Sequence, residues 1–207
     1  MSASEHIVFV VDDDSRIREA LEDLLASADL SVRTFGSGAE YLACAKPDVP
    51  ACLILDVELP DINGLALQQQ LAEGGPPIVF ITGHGDIPSS VRAIKAGAVD
   101  FLTKPFSDTD LLKAIRAALE RDRTSRLERA EINRLKTRFS SLTPREREVL
   151  PLVASGLLNK QAAAELGISE FTLQIHRGSI MRKMEAGSLA DLVRMASKLS
   201  VPVTHTR

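Results

Sequence analysis

Apolar residues in the first 120 positions fall into short continuous runs, separated by longer stretches where they recur every three or four residues. The runs Ile7 to Val11, Ser31 to Phe35, Cys52 to Leu55, Ile78 to Ile81 and Val99 to Leu102 have the length of strands and show little alternation of apolar with polar positions. A strand without alternation needs cover on both faces, the condition of a parallel sheet with helices on either side. The stretches between the runs supply such helices: Ile17, Leu21, Leu24, Leu25 and Ala28 share one face of the first. The pattern predicts five βα repeats, an α/β doubly wound five-stranded parallel sheet. Ligands of such sheets gather beyond the carboxyl ends of the strands.

From Ser107 the pattern turns wholly helical, with Ser107 as N-cap and Asp108 and Asp110 in the first turn, where the helix dipole favours acids. No Pro or Gly interrupts 108 to 143, and Leu112, Ile115, Leu119, Leu127, Leu135 and Phe139 form a loose apolar stripe. The heptad is not sustained, so a helical spacer is expected over 121–141 between a first domain, 1–120, and a second, 142–207. The second opens at Thr143-Pro144-Arg145-Glu146, which combines an N-cap, a proline at the first helical position and a glutamate three after the cap. Helical patterns over 144–155, 159–166, 170–184 and 188–199, punctuated by Gly156, Gly167 and Gly187, predict an all-α unit of four helices. Between its second and third helices, Leu166-Gly167-Ile168-Ser169 has the layout of a helix-turn-helix.

Charge separates these parts further. The net charge of -3 is the sum of -10 over 1–120, +4 over 121–142 and +3 over 143–207, so the basic rear is the candidate for a polyanionic partner. No window approaches the roughly 20 apolar residues of a membrane span, and the N-terminus lacks a signal-like run, so a cytoplasmic protein is expected. Cys44 and Cys52 lack CxxC spacing and are expected as buried structural thiols.

The strand ends carry the chemistry. Asp12, Asp13 and Asp14 follow the first run and Asp56 ends the third; Thr82 closes the fourth and Lys104 the fifth. The predicted sheet brings Asp12, Asp13 and Asp56 to one edge, where three carboxylates repel unless a cation joins them, and oxygen-only ligands suit Mg²⁺. A hydroxyl and an ammonium at the same edge complete a site able to neutralise a phosphoryl group. Asp56, alone on the central strand, is the expected nucleophile, with Asp12 and Asp13 left to the metal.

The motifs Val10-Val11-Asp12-Asp13-Asp14, Leu55-Asp56-Val57-Glu58-Leu59-Pro60-Asp61-Ile62-Asn63-Gly64, Ile81-Thr82-Gly83-His84-Gly85 and Phe101-Leu102-Thr103-Lys104-Pro105-Phe106 resemble those of two-component receiver domains, which have the flavodoxin-like fold. That resemblance implies direct Mg²⁺ binding by Asp12, Asp56 and the backbone carbonyl of Glu58, with Asp13 acting largely through water, and phosphorylation of Asp56 by a sensor histidine kinase. It also implies a cis Lys104–Pro105 bond, a small residue at Gly83 beside the phosphoryl group, and Thr82 and Phe101 as switch residues. The side chains of Glu58 and His84 would adjust the lifetime of the phosphorylated state.

Residues 142 to 200 are similar to a LuxR-type helix-turn-helix, through Leu142-Thr143-Pro144-Arg145-Glu146-Arg147-Glu148-Val149-Leu150, Asn159-Lys160-Gln161-Ala162-Ala163, Leu166-Gly167-Ile168-Ser169, Thr172 and His176. The whole chain thus resembles the FixJ/NarL class of transcription regulators. Under that resemblance helix 170–184 enters the major groove of double-stranded promoter DNA with Thr172, Gln174, Ile175, His176 and Arg177 near the bases, while Lys160, Arg182 and Lys183 hold the phosphates. Two positions depart from the family pattern: Gln174, where a basic residue is common, and Gly178, where a side chain is usual. The last helix, through Leu189, Leu192 and Val193, would form a homodimer on phosphorylation, and RNA polymerase is a further candidate partner.

Two other readings compete. A haloacid-dehalogenase-type enzyme also combines a nucleophilic aspartate, Mg²⁺ and lysine, but wants a second aspartate where Glu58 stands and has no use for a helix-turn-helix. A phosphorylation-independent dimerisation platform would be favoured by a missing carboxylate or lysine, and none is missing.

Overall fold

A computed structural model of the chain describes residues 6–72, 74–83 and 87–202. The chain divides into two compact units, Met1–Arg126 and Leu127–Arg207. His84 lies outside the described residues, and so does the role expected of it.

In the first unit, strands β1 (Ile7–Val11), β2 (Val32–Phe35), β3 (Ala51–Asp56), β4 (Ile78–Thr82) and β5 (Asp100–Thr103) form one parallel sheet in the order β2-β1-β3-β4-β5. This is the flavodoxin-like winding, whose switch point lies between β1 and β3. Every position of β1, β3 and β4 is buried, whereas the edge strands β2 and β5 are only partly covered. Strand alternation persists, but both of its phases are apolar. Phe9, Leu53, Leu55 and Phe80 meet Tyr41, Leu67 and Ala93 on one face; Val8, Val10, Ile54, Val79 and Ile81 meet Leu21, Leu25, Leu111 and Ile115 on the other.

Helices α1 (Ser15–Ser27), α2 (Gly38–Ala43), α3 (Gly64–Gln70) and α4 (Ile87–Lys95) cover the sheet, and side chains of Asp14, Ser37 and Asn63 cap the first three. Asp14 is thereby separated from its acidic neighbours: its carboxylate accepts from the Arg16 amide at 3.0 Å and pairs with the Arg16 guanidinium. Cys52 is buried as expected, but Cys44 is only half-buried. Cys44 is the C-cap of the short helix α2, its amide donating to the Tyr41 carbonyl.

Helix α5 runs unbroken from Asp108 to Ser140, and Ser107 accepts the Asp110 amide as its cap. Asp122, buried at 4% exposure, accepts the amide that opens β3, Ala51 N, at 2.9 Å and the Arg126 Nε at 2.7 Å; Arg126 also reaches Asp48. Farther on, Glu131 pairs with Lys198 at 2.6 Å, and Arg138 bonds the Met184 carbonyl and pairs with Glu185. Residues 121–141, expected as a spacer, are thus shared out, with those to 126 fixed on the first unit and those from 127 contributing to the second.

The second unit contains α6 (Pro144–Ala154), α7 (Asn159–Glu165), α8 (Glu170–Met184) and α9 (Leu189–Lys198). The expected capping box opens α6, with Thr143 Oγ1 accepting the Glu146 amide at 3.3 Å and Glu146 Oε2 accepting the Thr143 amide at 2.7 Å. Ser169 caps α8. Val149, Leu150, Val153, Ala162, Leu173, Ile180, Met184 and Leu192 build the core. The apolar stripe of α9 is divided between the core and the surface. Leu192 has no exposed surface and Leu189 packs against the same core, so these side chains stabilise their own unit; Leu192 offers nothing to a partner, and Val193 is half-buried.

Candidate functional site

Parallel pairing of Val11 with Leu55 sets the residues that follow β1 beside the end of β3. Asp12 and Asp56 are therefore buried side by side, at 0% and 6% exposure, with Asp13 exposed at the rim. One carboxylate oxygen from each of the three lies within 4.8 Å of the others. Arg18 donates to the carbonyls of Asp12 and Asp13 at 2.7 and 3.0 Å, which fixes the acidic loop.

Lys104, just beyond β5, reaches into this cluster with its Nζ 2.7 Å from Asp12 Oδ2 and 2.6 Å from Asp56 Oδ2. The second Asp56 oxygen accepts the Glu58 amide at 3.1 Å, and Asp12 Oδ1 accepts the Asp14 amide at 2.9 Å. One ammonium opposes three carboxylates, so the site retains excess negative charge. Burial pushes the Asp12 carboxyl above its ordinary range, and the Lys104 and Asp14 bonds offset only part of that. Burial would lower the Lys104 value, but its two carboxylate partners outweigh it and hold the ammonium above the usual lysine range.

Thr82 is fully buried at the end of β4, and its carbonyl accepts the Lys104 amide at 2.7 Å. Gly83 is exposed, and a Cβ built there would meet no atom. The Lys104–Pro105 peptide is cis. Phe101 is half-buried on β5, its ring centroid 5.9 Å from that of buried Phe80. The Glu58 side chain is exposed.

Gly64, the last residue of the motif that holds Asp56, sets the backbone at the site. A Cβ there would sit 2.3 Å from the Asp56 carbonyl oxygen and 3.1 Å from Val57 Cα, neither of which can yield without moving the strand end. Gly64→Ala is expected to cost about 1–3 kcal/mol through overpacking, read as a lower melting temperature together with displaced amide resonances of Asp56 and Val57.

In the second unit, α7, the short turn and α8 form the expected helix-turn-helix. The outward face of α8 carries Glu170, Phe171, Gln174, Ile175, Gly178 and Arg182, all exposed; Lys160 is exposed on α7. The other expected contacts are less free. Thr172 is half-buried, its hydroxyl 2.8 Å from that of Ser169, and His176 is half-buried. Arg177 donates to Asn159 Oδ1 at 3.0 Å and so ties α8 to the start of α7. Lys183 requires a correction. Its ammonium lies 2.7 Å from buried Glu146 and is committed to that carboxylate, which also accepts the Ser179 hydroxyl at 2.6 Å. Phe171, 73% exposed, is a further candidate on this face that the sequence motifs did not single out. The available signal was its place one turn before Ile175, on a helix face with no core to fill.

Comparison with known proteins agrees with both units. Residues 8–116 match the response regulator receiver domain and residues 140–196 the luxR family of bacterial regulatory proteins. Nodulation protein W of Bradyrhizobium diazoefficiens is 52% identical, over 99% of this chain and 91% of its own. The response regulator protein TodT of Pseudomonas putida is 48% identical over 96% and 88%. The solved structure of the response regulator StyR, 48% identical, covers 94% of this chain and 99% of its own with a TM-score of 0.82. The acidic strand-end pocket and the helix-turn-helix are therefore the two working parts of one architecture, and the chain belongs to the two-component response regulators that join a receiver domain to a LuxR-type DNA-binding domain.

Proposed function

We propose that Asp56 accepts a phosphoryl group from a sensor histidine kinase in the cytoplasm, and that this modification drives homodimerisation and binding to promoter DNA. One observation carries the reading: Asp56 is held with Asp12 and Asp13 around a common point while Lys104 contacts it at 2.6 Å. In the transfer, an Asp56 carboxylate oxygen forms a bond to phosphorus as the phosphorus–nitrogen bond of the donor's phosphohistidine breaks.

The donor set is all oxygen and carries excess negative charge, which fits Mg²⁺. Asp12, Asp13, Asp56 and the Glu58 carbonyl would hold the ion, whose bound charge offsets that of the phosphoryl oxygens. Lys104 then exchanges a carboxylate partner for a phosphoryl oxygen, the Thr82 hydroxyl binds another, and the open space at Gly83 leaves room for the group. Phe101 on β5 completes the switch. The catalysis assigned to the chain is confined to this self-directed phosphotransfer and to dephosphorylation, in which water attacks phosphorus and the Asp56 carboxylate leaves.

Dimerisation can draw on Leu189 and Val193 of α9, which keep partial exposure, but not on buried Leu192, and the first unit offers a second face. Helix α4 leads on from β4, which ends at Thr82, packs beside β5, and carries Ile87, Val91 and Ile94 exposed at 79%, 44% and 46%. A second copy of the chain is the occupant assigned to that stripe, because a helix-turn-helix dimer reads paired half-sites. RNA polymerase is the further partner of the DNA-bound dimer.

The test is incubation with Mg²⁺ and acetyl phosphate. One acid-labile acyl phosphate is expected on the wild-type chain, and the same modification persisting in Asp56→Asn would overturn the assignment. Binding to DNA should also depend on salt. Exposed Lys160 and Arg182 give a dimer four free phosphate contacts, so affinity should fall roughly 100-fold between 50 and 200 mM salt. A flat salt profile would argue against groove binding.

A further inference from the structure

We propose that α8 reads the 5-methyl groups of thymine through Phe171 and Ile175, and that Gly178 lets its backbone lie close against the base edges. The proposal rests on the DNA-binding reading of the second unit and names what that surface recognises.

Phe171 and Ile175 are one helical turn apart and are 73% and 56% exposed. Neither belongs to the core of the second unit or packs against it. Leu173, between them in sequence, is fully buried, so α8 had an inward face available for apolar residues and still presents two outward. Gly178 continues the same line at the next turn and is exposed. The fold gives no reason for a glycine there. It lies inside a regular helix, its φ is not positive, and an added Cβ would meet nothing within 4 Å. Glycine is among the least favourable residues in a helix interior. Its use at an exposed, sterically open position points to an object outside the protein that approaches the helix closely.

The chemistry of the face selects the object. In the major groove the apolar feature on a base edge is the thymine methyl, and aromatic or aliphatic side chains are its partners. Gln174, exposed beside Ile175, has the donor and acceptor pair that matches adenine. Lys160 and Arg182, exposed on α7 and at the far end of α8, supply cations for phosphates. Apolar contacts flanked by an amide and cations match A·T steps in duplex DNA better than the surface of a protein.

The test begins by selecting binding sites from a random duplex pool with the full-length chain phosphorylated by acetyl phosphate. Each thymine of the selected site is then replaced in turn with deoxyuridine, which removes only the methyl. At one or two thymines per half-site the replacement should weaken binding about four-fold, the value of one buried methyl-sized group. Phe171→Ala and Ile175→Ala should each abolish the sensitivity at one thymine. Gly178→Ala should raise the melting temperature by about 4 °C and yet weaken binding more than ten-fold, a pairing that general damage to the fold cannot produce. Affinity unchanged within two-fold for every deoxyuridine substitution of a specifically bound site overturns the methyl reading and leaves DNA binding intact. Full binding by Gly178→Ala overturns the role of the glycine. If Phe171→Ala lowers self-association in sedimentation while site preference is retained, the face belongs to a second copy of the chain and the proposal fails. If the pool yields no enriched sequence, the DNA-binding reading fails and this one with it.

Discussion

Asp56→Asn is expected to lower promoter occupancy to that of the unphosphorylated protein, a loss of about 5- to 150-fold, the range that a coupling of 1–3 kcal/mol provides. The asparagine amide has the shape of the carboxylate and keeps an oxygen to accept the Glu58 amide. It lacks the charge and nucleophilicity to attack phosphorus. The fold should tolerate the change, because it removes one of three clustered carboxylates and leaves Lys104 its contact with Asp12 at 2.7 Å. The melting temperature without Mg²⁺ is therefore unchanged or higher. The stabilisation that Mg²⁺ gives the wild type, RT ln(1 + [Mg²⁺]/Kd), should shrink because one ligand charge is gone. Genome-wide occupancy under kinase-activating conditions, alongside melting curves with and without Mg²⁺, checks both halves. A variant as responsive as wild type would place the acceptor elsewhere.

The sheet and the pocket were legible in the sequence for one physical reason. Strands buried on both faces leave continuous apolar runs, and a parallel sheet sends every carboxyl end to the same edge, so Asp12, Asp56, Thr82 and Lys104 could be brought together from their positions after the runs alone. Thr143, Pro144 and Glu146 marked the start of α6 in the same local way, as a cap, a first-turn proline and the return bond of a capping box. What the pattern hides is commitment. A lysine in a recognition helix looks the same whether it faces phosphate or a buried carboxylate, and Lys183 turned out to face Glu146, 37 residues earlier in the chain. An apolar stripe on a last helix looks the same whether it seals its own core or a partner's, and Leu192 seals its own. Asp122 resembles any charge in a solvated run, yet it accepts the amide that opens β3, 71 residues before it. Each of these depends on a long-range contact that local periodicity does not encode.

Glu146 bears the second large effect. Its carboxylate, 4% exposed, accepts from the Thr143 amide, the Ser179 hydroxyl and the Lys183 ammonium, joining the start of α6 to the middle of α8. Glu146→Ala leaves the ammonium, the hydroxyl and the amide without their acceptor and should cost about 3–5 kcal/mol, the usual loss when one partner of a buried ion pair is removed. For a domain whose total stability is of the order of 5–15 kcal/mol, this loss lowers the melting transition of the second unit by at least about 12 °C. The pH dependence supplies the control. Burial acts to raise the Glu146 value, but its bonds to Lys183, Ser179 and Thr143 outweigh that and hold it at about 2, against an ordinary 4.5. A carboxyl whose folded value is depressed contributes stability that is fully present above its unfolded value and is lost as pH falls through the folded one. The second unit should therefore weaken between about pH 4.5 and pH 2, by an amount of the order of 2 kcal/mol once solvent screening around half-exposed Lys183 is allowed for. Glu146→Gln keeps a neutral acceptor for the Thr143 amide, so it should be less destabilising than Ala at pH 7 and should flatten the acid limb. Equal acid slopes for wild type and Glu146→Gln, measured by denaturant unfolding of the second unit, would show that the ion pair with Lys183 contributes nothing to its stability.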